Sequence, residues 1–354
     1  MWSFSKELVD QGSIYKPKRN QPAFVLLSDQ QNANSLANLY VNYAQLNPLF
    51  DILFKNKSTD IFKSFRLLSS FGALSLNYKT DALMFNGTTS SLKQPVAYLN
   101  LFANQRPVTN HLKDLFPSTT AYATNFAVSD PGKFGKDLQQ WYNNAGLKAE
   151  REKLFKQIKI ETGTDIQASF NSLLGNEFAG ITTRYFEKLA IISIKDGAKM
   201  NTLLTGISKT TEANTGQFSY DKLPFFLLGD AFAVFRHPYY LIIDNYLILA
   251  NSPGELKSYN DSYLNRKFLS KNGQYQQFDN LLAGQSNVSF LLVFKNTEPI
   301  LKRDLNGEFF DDSQAVSLGW GDFYGASWQL SAVDKNFDTN FSLRLNTDTL
   351  LTKN

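Results

Sequence analysis

TTAYATNFAVSDPGKFGKDLQQW, residues 119–141, joins an apolar run to a polar cap, Asp130, and then to a proline that opens an amphipathic segment. A side-chain oxygen just before a helix satisfies one of its free N–H groups, and proline in the first turn sacrifices no hydrogen bond. The stretch therefore predicts a buried strand that turns directly into a helix. The same order recurs in PAFVLLSDQQNANSLANLY from Pro22, LAIISIKDGAKMNTLLTGI from Leu189 and NVSFLLVFKNTEPILKRDL from Asn287. Their joints fall at Asp29, Asp196 and Asn296.

Between these joints the period of the apolar residues alternates. Leu36, Leu39, Tyr40, Tyr43 and Leu46 recur at three- and four-residue spacing, which predicts a helix, with a second short one after Pro48 to about Phe54. Leu74, Leu76 and Tyr78 then alternate with polar residues, and after a turn at 79–81 apolar residues return at 83–85, a hairpin. Residues 92–116 read as helical with a break near Pro107. Charged residues at 150–163 and an apolar stripe at 166–174 predict two more helices. A hairpin is expected from 178–182 and 189–194, and YYLIIDNYLILA, residues 239–250, gives a tight one around Asp244 and Asn245. Ser252-Pro253-Gly254-Glu255 is a capping box. A strand at 288–294, a short helix near Ile300 and closing strands over 315–345 complete the chain.

The spacing of these features suggests a duplication. Asp196 lies 167 positions after Asp29, Leu247 lies 164 after Leu83, and Asn296 lies 166 after Asp130. SLLGNEFAGI near Leu174 also parallels SLGWGDFYGA near Leu318, at a shorter offset that a missing helix in the second half would explain. The expected fold is α+β: duplicated strand, helix and hairpin units forming antiparallel sheets, with helices packed on one face. An arm at 1–20, with Lys16, Lys18 and Arg19, would precede halves at 21–187 and 188–354 that pack as one continuous module.

These repeated units, with the GNEFAG and LILANSPGELKSY stretches and a texture rich in Phe, Asn, Lys and Tyr, resemble uncharacterised bacterial domain families of unknown function. Members of such families are often exported or anchored through an N-terminal segment. The resemblance implies a non-enzymatic protein on the periplasmic or surface side of the cell envelope, and it brings no functional residues. Residues 1–20 hold no apolar core of a secretory signal. Either Met1 opens a cytoplasmic protein or a leader has been removed.

Composition excludes several chemistries. The chain has no cysteine, so disulfides, thiolate nucleophiles and sulfur-ligated zinc are ruled out. A net charge of +4 over 354 residues, with no basic run, makes nucleic acid an unsuitable partner. No stretch of about 18 apolar residues predicts a membrane-spanning helix. With 43% hydrophobic residues, including 30 Phe and 16 Tyr, a thick core is expected.

The candidates for chemistry are few. Of the two histidines, His111 has no metal-ligand partner at three or four residues, though Asp114 is close enough to pair with it, and His237, beside Arg236 and ahead of Pro238, is read as ending a turn. There is no G-x-S-x-G to present a nucleophilic serine, and no glycine-rich phosphate loop. Glu308, Asp311, Asp312 and Asp322 could supply an acid and base for hydrolysis, although neighbouring carboxylates on a loop usually face solvent. They lack the spacing of a calcium loop. WGDFYGASW, Trp320 to Trp328, has rings that could stack on a sugar or anchor a protein partner, or could pack from an edge strand onto a helix. Catalytic, cofactor and metal residues are therefore expected to be none. The leading expectation is a binding or scaffolding component of an envelope assembly with protein partners. The alternatives are a carboxylate-dependent hydrolase of glycans or lipids, and a carrier holding an apolar ligand between sheet and helices.

Overall fold

The computed structural model describes residues 35–55, 71–90, 97–212, 214–309 and 319–346. The strand expected at 23–27, its cap Asp29 and the basic arm lie outside these residues. In chain order the strands are β1 (Asn38–Asn42), β2 (Phe71–Lys79), β3 (Ala82–Thr89), β4 (Val108–Thr109), β5 (Thr120–Ala127), β6 (Leu174–Thr183), β7 (Lys188–Ile194) and β8 (Ser208–Glu212). They continue as β9 (Thr215–Phe218), β10 (Tyr239–Ile243), β11 (Tyr246–Ala250), β12 (Gln285–Ser286), β13 (Val288–Val293), β14 (Phe323–Val333) and β15 (Asn336–Leu345). The α-helices are α1 (Leu46–Leu53), α2 (Pro131–Asn144), α3 (Lys148–Thr162), α4 (Ile166–Leu173), α5 (Gly197–Thr205), α6 (Leu223–Leu228), α7 (Pro253–Leu264), α8 (Gly273–Asp279) and α9 (Phe294–Asp304).

Thirteen of these strands form one antiparallel sheet in the order β1-β2-β3-β15-β14-β13-β5-β6-β7-β11-β10-β9-β8, and β12 pairs with β4 beside it. The α+β class and antiparallel pairing are those expected. Counted outward from the central β5–β13 pair, one wing runs β6, β7, β11, β10 and the other β14, β15, β3, β2.

Helices cover both faces of the central strands, where one face was expected. The reason lies in apolar runs such as LAII, residues 189–192 of β7, which put apolar side chains on both faces and leave neither for water. Ala190, Ile192 and Ile194 join a core with Phe134 and Tyr142 of α2, Phe170 of α4, Leu204 of α5 and Ile300 of α9. Leu189 and Ile191, pointing the other way as successive strand residues must, join Leu256 and Tyr259 of α7 and Tyr275 and Phe278 of α8. No helix of the described residues is long and apolar enough to cross a membrane.

The joints explain how the chain is laid out. Asp130 Oδ1 accepts the Lys133 N–H at 2.9 Å, and Asp196 Oδ1 accepts that of Lys199 at 2.9 Å, so both cap their helices as expected. Asn296 does not cap. Helix α9 starts three residues earlier, after Val293, and Asn296 is buried inside it, donating to the carbonyls of Ser118 and Thr120 at 2.9 and 2.8 Å. The hairpin β10–β11 turns at Asp244, which takes φ +51°. At the head of α7, Ser252 Oγ accepts the Glu255 N–H and the Glu255 carboxylate accepts the Ser252 N–H, each at 3.2 Å. Ser252→Ala is expected to cost about 1 kcal/mol, read in urea unfolding as a lower midpoint at unchanged slope.

Two expected helices are absent. Residues 36–46 form β1 and a 3-10 turn at Tyr43–Gln45 before α1 begins. The segment read as helical up to residue 116 holds, over its described part, only 3-10 turns at Tyr98–Asn104 and Leu112–Leu115 and the two-residue β4. Tyr98, Leu99, Leu101 and Phe102 are all buried, so this segment is a plug in the core, without the one-sided burial of a surface helix.

Candidate functional site

Strand β1 and helix α1, with one face of β13, β14 and β15, line a cavity of about 430 Å³. Alternation decides its floor: Phe290 and Leu292 of β13, Ala326 and Trp328 of β14, and Phe341 and Leu343 of β15 share one face, in register. Leu39 and Val41 of β1, with Leu46 and Phe50 one helical turn apart on α1, complete its lining.

The Trp328 ring stands edge-on to Tyr43 at 5.7 Å and lies 5.4 Å from Phe341. Tyr43 brings a hydroxyl, but this group is spent within the wall. Thr89 Oγ1 lies 3.3 Å from it, within hydrogen-bond reach. Burial pushes the Tyr43 pKa well above its ordinary value, so the phenol stays neutral. The named side chains thus offer a guest carbon surface and aromatic rings. Cavities of about 300–1,000 Å³ with such walls are typical of small-molecule sites, and apolar ones stay dry enough to take apolar guests.

Phe294, the first residue of α9, lines this cavity and also a second one of about 650 Å³ at the end of the sheet. The second cavity is polar, with Arg184, Lys295, Asn296, Glu298, Asn272 and Gln274 in its walls. Phe323 and Tyr324 of β14 complete it, and the Phe323 and Phe294 rings meet at 5.8 Å. The Tyr324 hydroxyl is also held neutral, since burial raises its pKa more strongly than nearby Arg344 lowers it.

The residues singled out in the sequence are scattered. His111 is exposed, and the notable contact is made by its backbone N–H, which donates to Glu177 at 2.9 Å. His237 is exposed, with Nδ1 3.3 Å from the Phe218 carbonyl. Glu308 is exposed, Asp322 Oδ2 accepts the Gly319 N–H at 2.9 Å, and Asp311 and Asp312 lie outside the described residues. Among the described residues no three histidine, aspartate or glutamate side chains gather to hold a metal ion. WGDFYGASW is not an edge strand, because β14 runs between β13 and β15. Its rings divide between environments: Phe323 faces the polar cavity, Tyr324 meets Phe278 at 5.9 Å, and Trp328 walls the apolar cavity.

One carboxylate escaped the sequence reading. Glu177, in β6, is buried, and its oxygens accept the N–H groups of His111 and Leu112 and the Asn125 amide at 2.9–3.2 Å. The signal was present in GNEFAG, whose glutamate is the one charged residue of the strand LGNEFAGITT. In the parallel drawn with SLGWGDFYGA, Glu177 stands opposite Asp322, which also accepts a backbone N–H. Comparison of the chain with protein-family models, curated proteins and solved structures found no match.

Proposed function

We propose that this chain is a non-enzymatic binding protein that carries an apolar ligand in the cavity beneath β1 and α1. The observation that carries the reading is the cavity itself, a space of about 430 Å³ whose lining phenol, Tyr43, is already hydrogen-bonded to Thr89. The other wing supplies a comparison. Over β5, β6 and β7, which stand where β13, β14 and β15 stand, Ala231, Val234 and Phe235 leave a cleft of about 70 Å³ that Lys188 enters. One position is nearly filled while its counterpart is open and apolar, a difference that favours a ligand over loose packing.

The same proposal takes in a duplicated origin for the two wings. It is supported by the matching places of β3, with Leu83, and β11, with Leu247, each third from the central pair. A second reading, a docking component of an envelope assembly, draws on the outer face of α1, where Leu49 and Ile52 are 48% and 58% exposed.

The carrier reading is tested by titrating the purified full chain with the uncharged dye N-phenyl-1-naphthylamine, alongside mass spectrometry under native conditions for retained lipid. Saturable binding of one dye per chain, with a Kd of about 10 μM or tighter (roughly −7 kcal/mol), is the expected result. Failure to saturate up to the solubility limit of the dye, with no retained lipid, would overturn it.

A further inference from the structure

The two cavities share a wall, and their walls differ in kind. On one side of Phe294 are the carbon surfaces of Phe290, Leu292, Ala326 and Leu343. On the other are two cations, Arg184 and Lys295, and one carboxylate, Glu298. Neither cation has a carboxylate within ion-pair distance among the described residues, and the Arg184 guanidinium lies 5.7 Å from the ring of its neighbour Tyr185. The remaining titratable lining group is the neutral Tyr324 phenol. An apolar chamber beside a chamber of net positive charge matches a molecule with a tail and an anionic head.

We propose that the ligand is an amphiphile whose hydrocarbon part fills the apolar cavity and whose anionic head, a carboxylate, sulfate or phosphate, passes Phe294 to face Arg184 and Lys295. This rests on the carrier reading and adds the chemical class of its ligand. An arginine recognises such heads through its planar fork of N–H groups, and a lysine adds a point charge. Glu298, in the same wall, repels a second negative charge, so singly charged heads fit better than multiply charged ones. Attraction across solvent-exposed distances is screened by salt, so the preference for an anion weakens as ionic strength rises.

The test compares ligands of one chain length: decyl sulfate, decanol and decyltrimethylammonium, each below its aggregation concentration. Each displaces the naphthylamine dye from the wild type and from the double variant Arg184→Gln/Lys295→Gln. The expected result is that the double variant binds decyl sulfate about tenfold more weakly or worse, while its affinity for decanol stays within twofold. Wild-type affinity for decyl sulfate should fall as salt is raised from 20 to 500 mM, and that for decanol should not. Decanol binding with no loss of decyl sulfate in the variant, or tighter binding of the ammonium compound, overturns the anionic head and leaves the carrier standing. If none of the three ligands nor the dye binds, both proposals fall.

Discussion

Glu177→Ala is expected to destabilise the fold by about 2–6 kcal/mol, because it strands two buried hydrogen-bond donors. The carboxylate is 5% exposed and has no ion pair among the described residues, so its charge is held by N–H groups alone. Oε1 and Oε2 accept the His111 N–H at 2.9 and 3.0 Å, and Oε2 also takes the Leu112 N–H at 3.2 Å and the Asn125 amide at 3.0 Å. The His111 and Leu112 donors open the 3-10 turn at Leu112–Leu115, where free N–H groups gather and no side chain of the turn caps them. Truncation leaves the His111 N–H near solvent. Leu112 is 1% exposed, however, and the Asn125 side chain already has an oxygen without a partner, so two buried donors are stranded. Each costs about 1–3 kcal/mol.

Glu177→Gln should lose less, since it keeps the shape and one accepting oxygen. The double variant Glu177→Ala/Asn125→Ala should lose less than the sum of its single changes, because the two side chains share one network. Urea unfolding of wild type, Glu177→Ala, Glu177→Gln, Asn125→Ala and the double variant measures this. A loss below about 1 kcal/mol for Glu177→Ala would mean that the network does not hold the carboxylate for stability, and would reopen Glu177 as a group for chemistry.

Local signals in the sequence that act over a few residues are realised where they were read. The caps at Asp130 and Asp196, the capping box at Ser252 and the turn at Asp244 each depend on groups within four positions of one another. The segment 36–46 was misread because Leu39, Val41 and Tyr43 also alternate with period two, and pairing with β2, unknowable from the segment itself, decided between the periods. Asn296 was misread for a related reason. As a short polar residue after an apolar run it imitates a cap, while its partners, the carbonyls of Ser118 and Thr120, lie about 176–178 positions earlier.

The apolar cavity was not legible at all beyond the general idea of a ligand between sheet and helices. Its walls come from residues 39–50, 290–294, 326–328 and 341–343, and no spacing in the sequence announces that β15 is placed between β14 and β3. Trp328 was noticed for its ring, yet whether that ring faced a helix, solvent or a cavity depended on the register of β14 against β13, where Trp328 stands opposite Phe290.

Ala326→Trp is expected to abolish uptake of the naphthylamine dye, weakening it about 100-fold or more, a change of about 2.7 kcal/mol, while the chain still folds. Ala326 is the smallest side chain on the cavity floor, set between Leu292 and Leu343 in register and half-exposed to the cavity, so an indole there has space to enter. A tryptophan ring covers about 150–250 Å² of apolar surface when buried. At about 25 cal/mol per Å² this removes roughly 4–6 kcal/mol of contact that the dye would otherwise make with Phe290, Leu292 and Trp328, more than enough for the stated loss. Because the indole fills existing space and pushes on no packed neighbour, stability should change by less than about 1.5 kcal/mol.

That contrast separates the readings. A carrier loses its ligand when the cavity is filled, whereas a protein that docks through the outer face of α1 loses nothing, since Leu49 and Ile52 point away from the floor. Dye titration of wild type and variant, with urea unfolding of both, measures the two effects together. Undiminished binding in a folded variant would place the dye elsewhere and end the carrier reading. A variant that fails to fold is replaced by Ala326→Leu, for which a smaller loss, about tenfold or 1.4 kcal/mol, is expected from the same geometry.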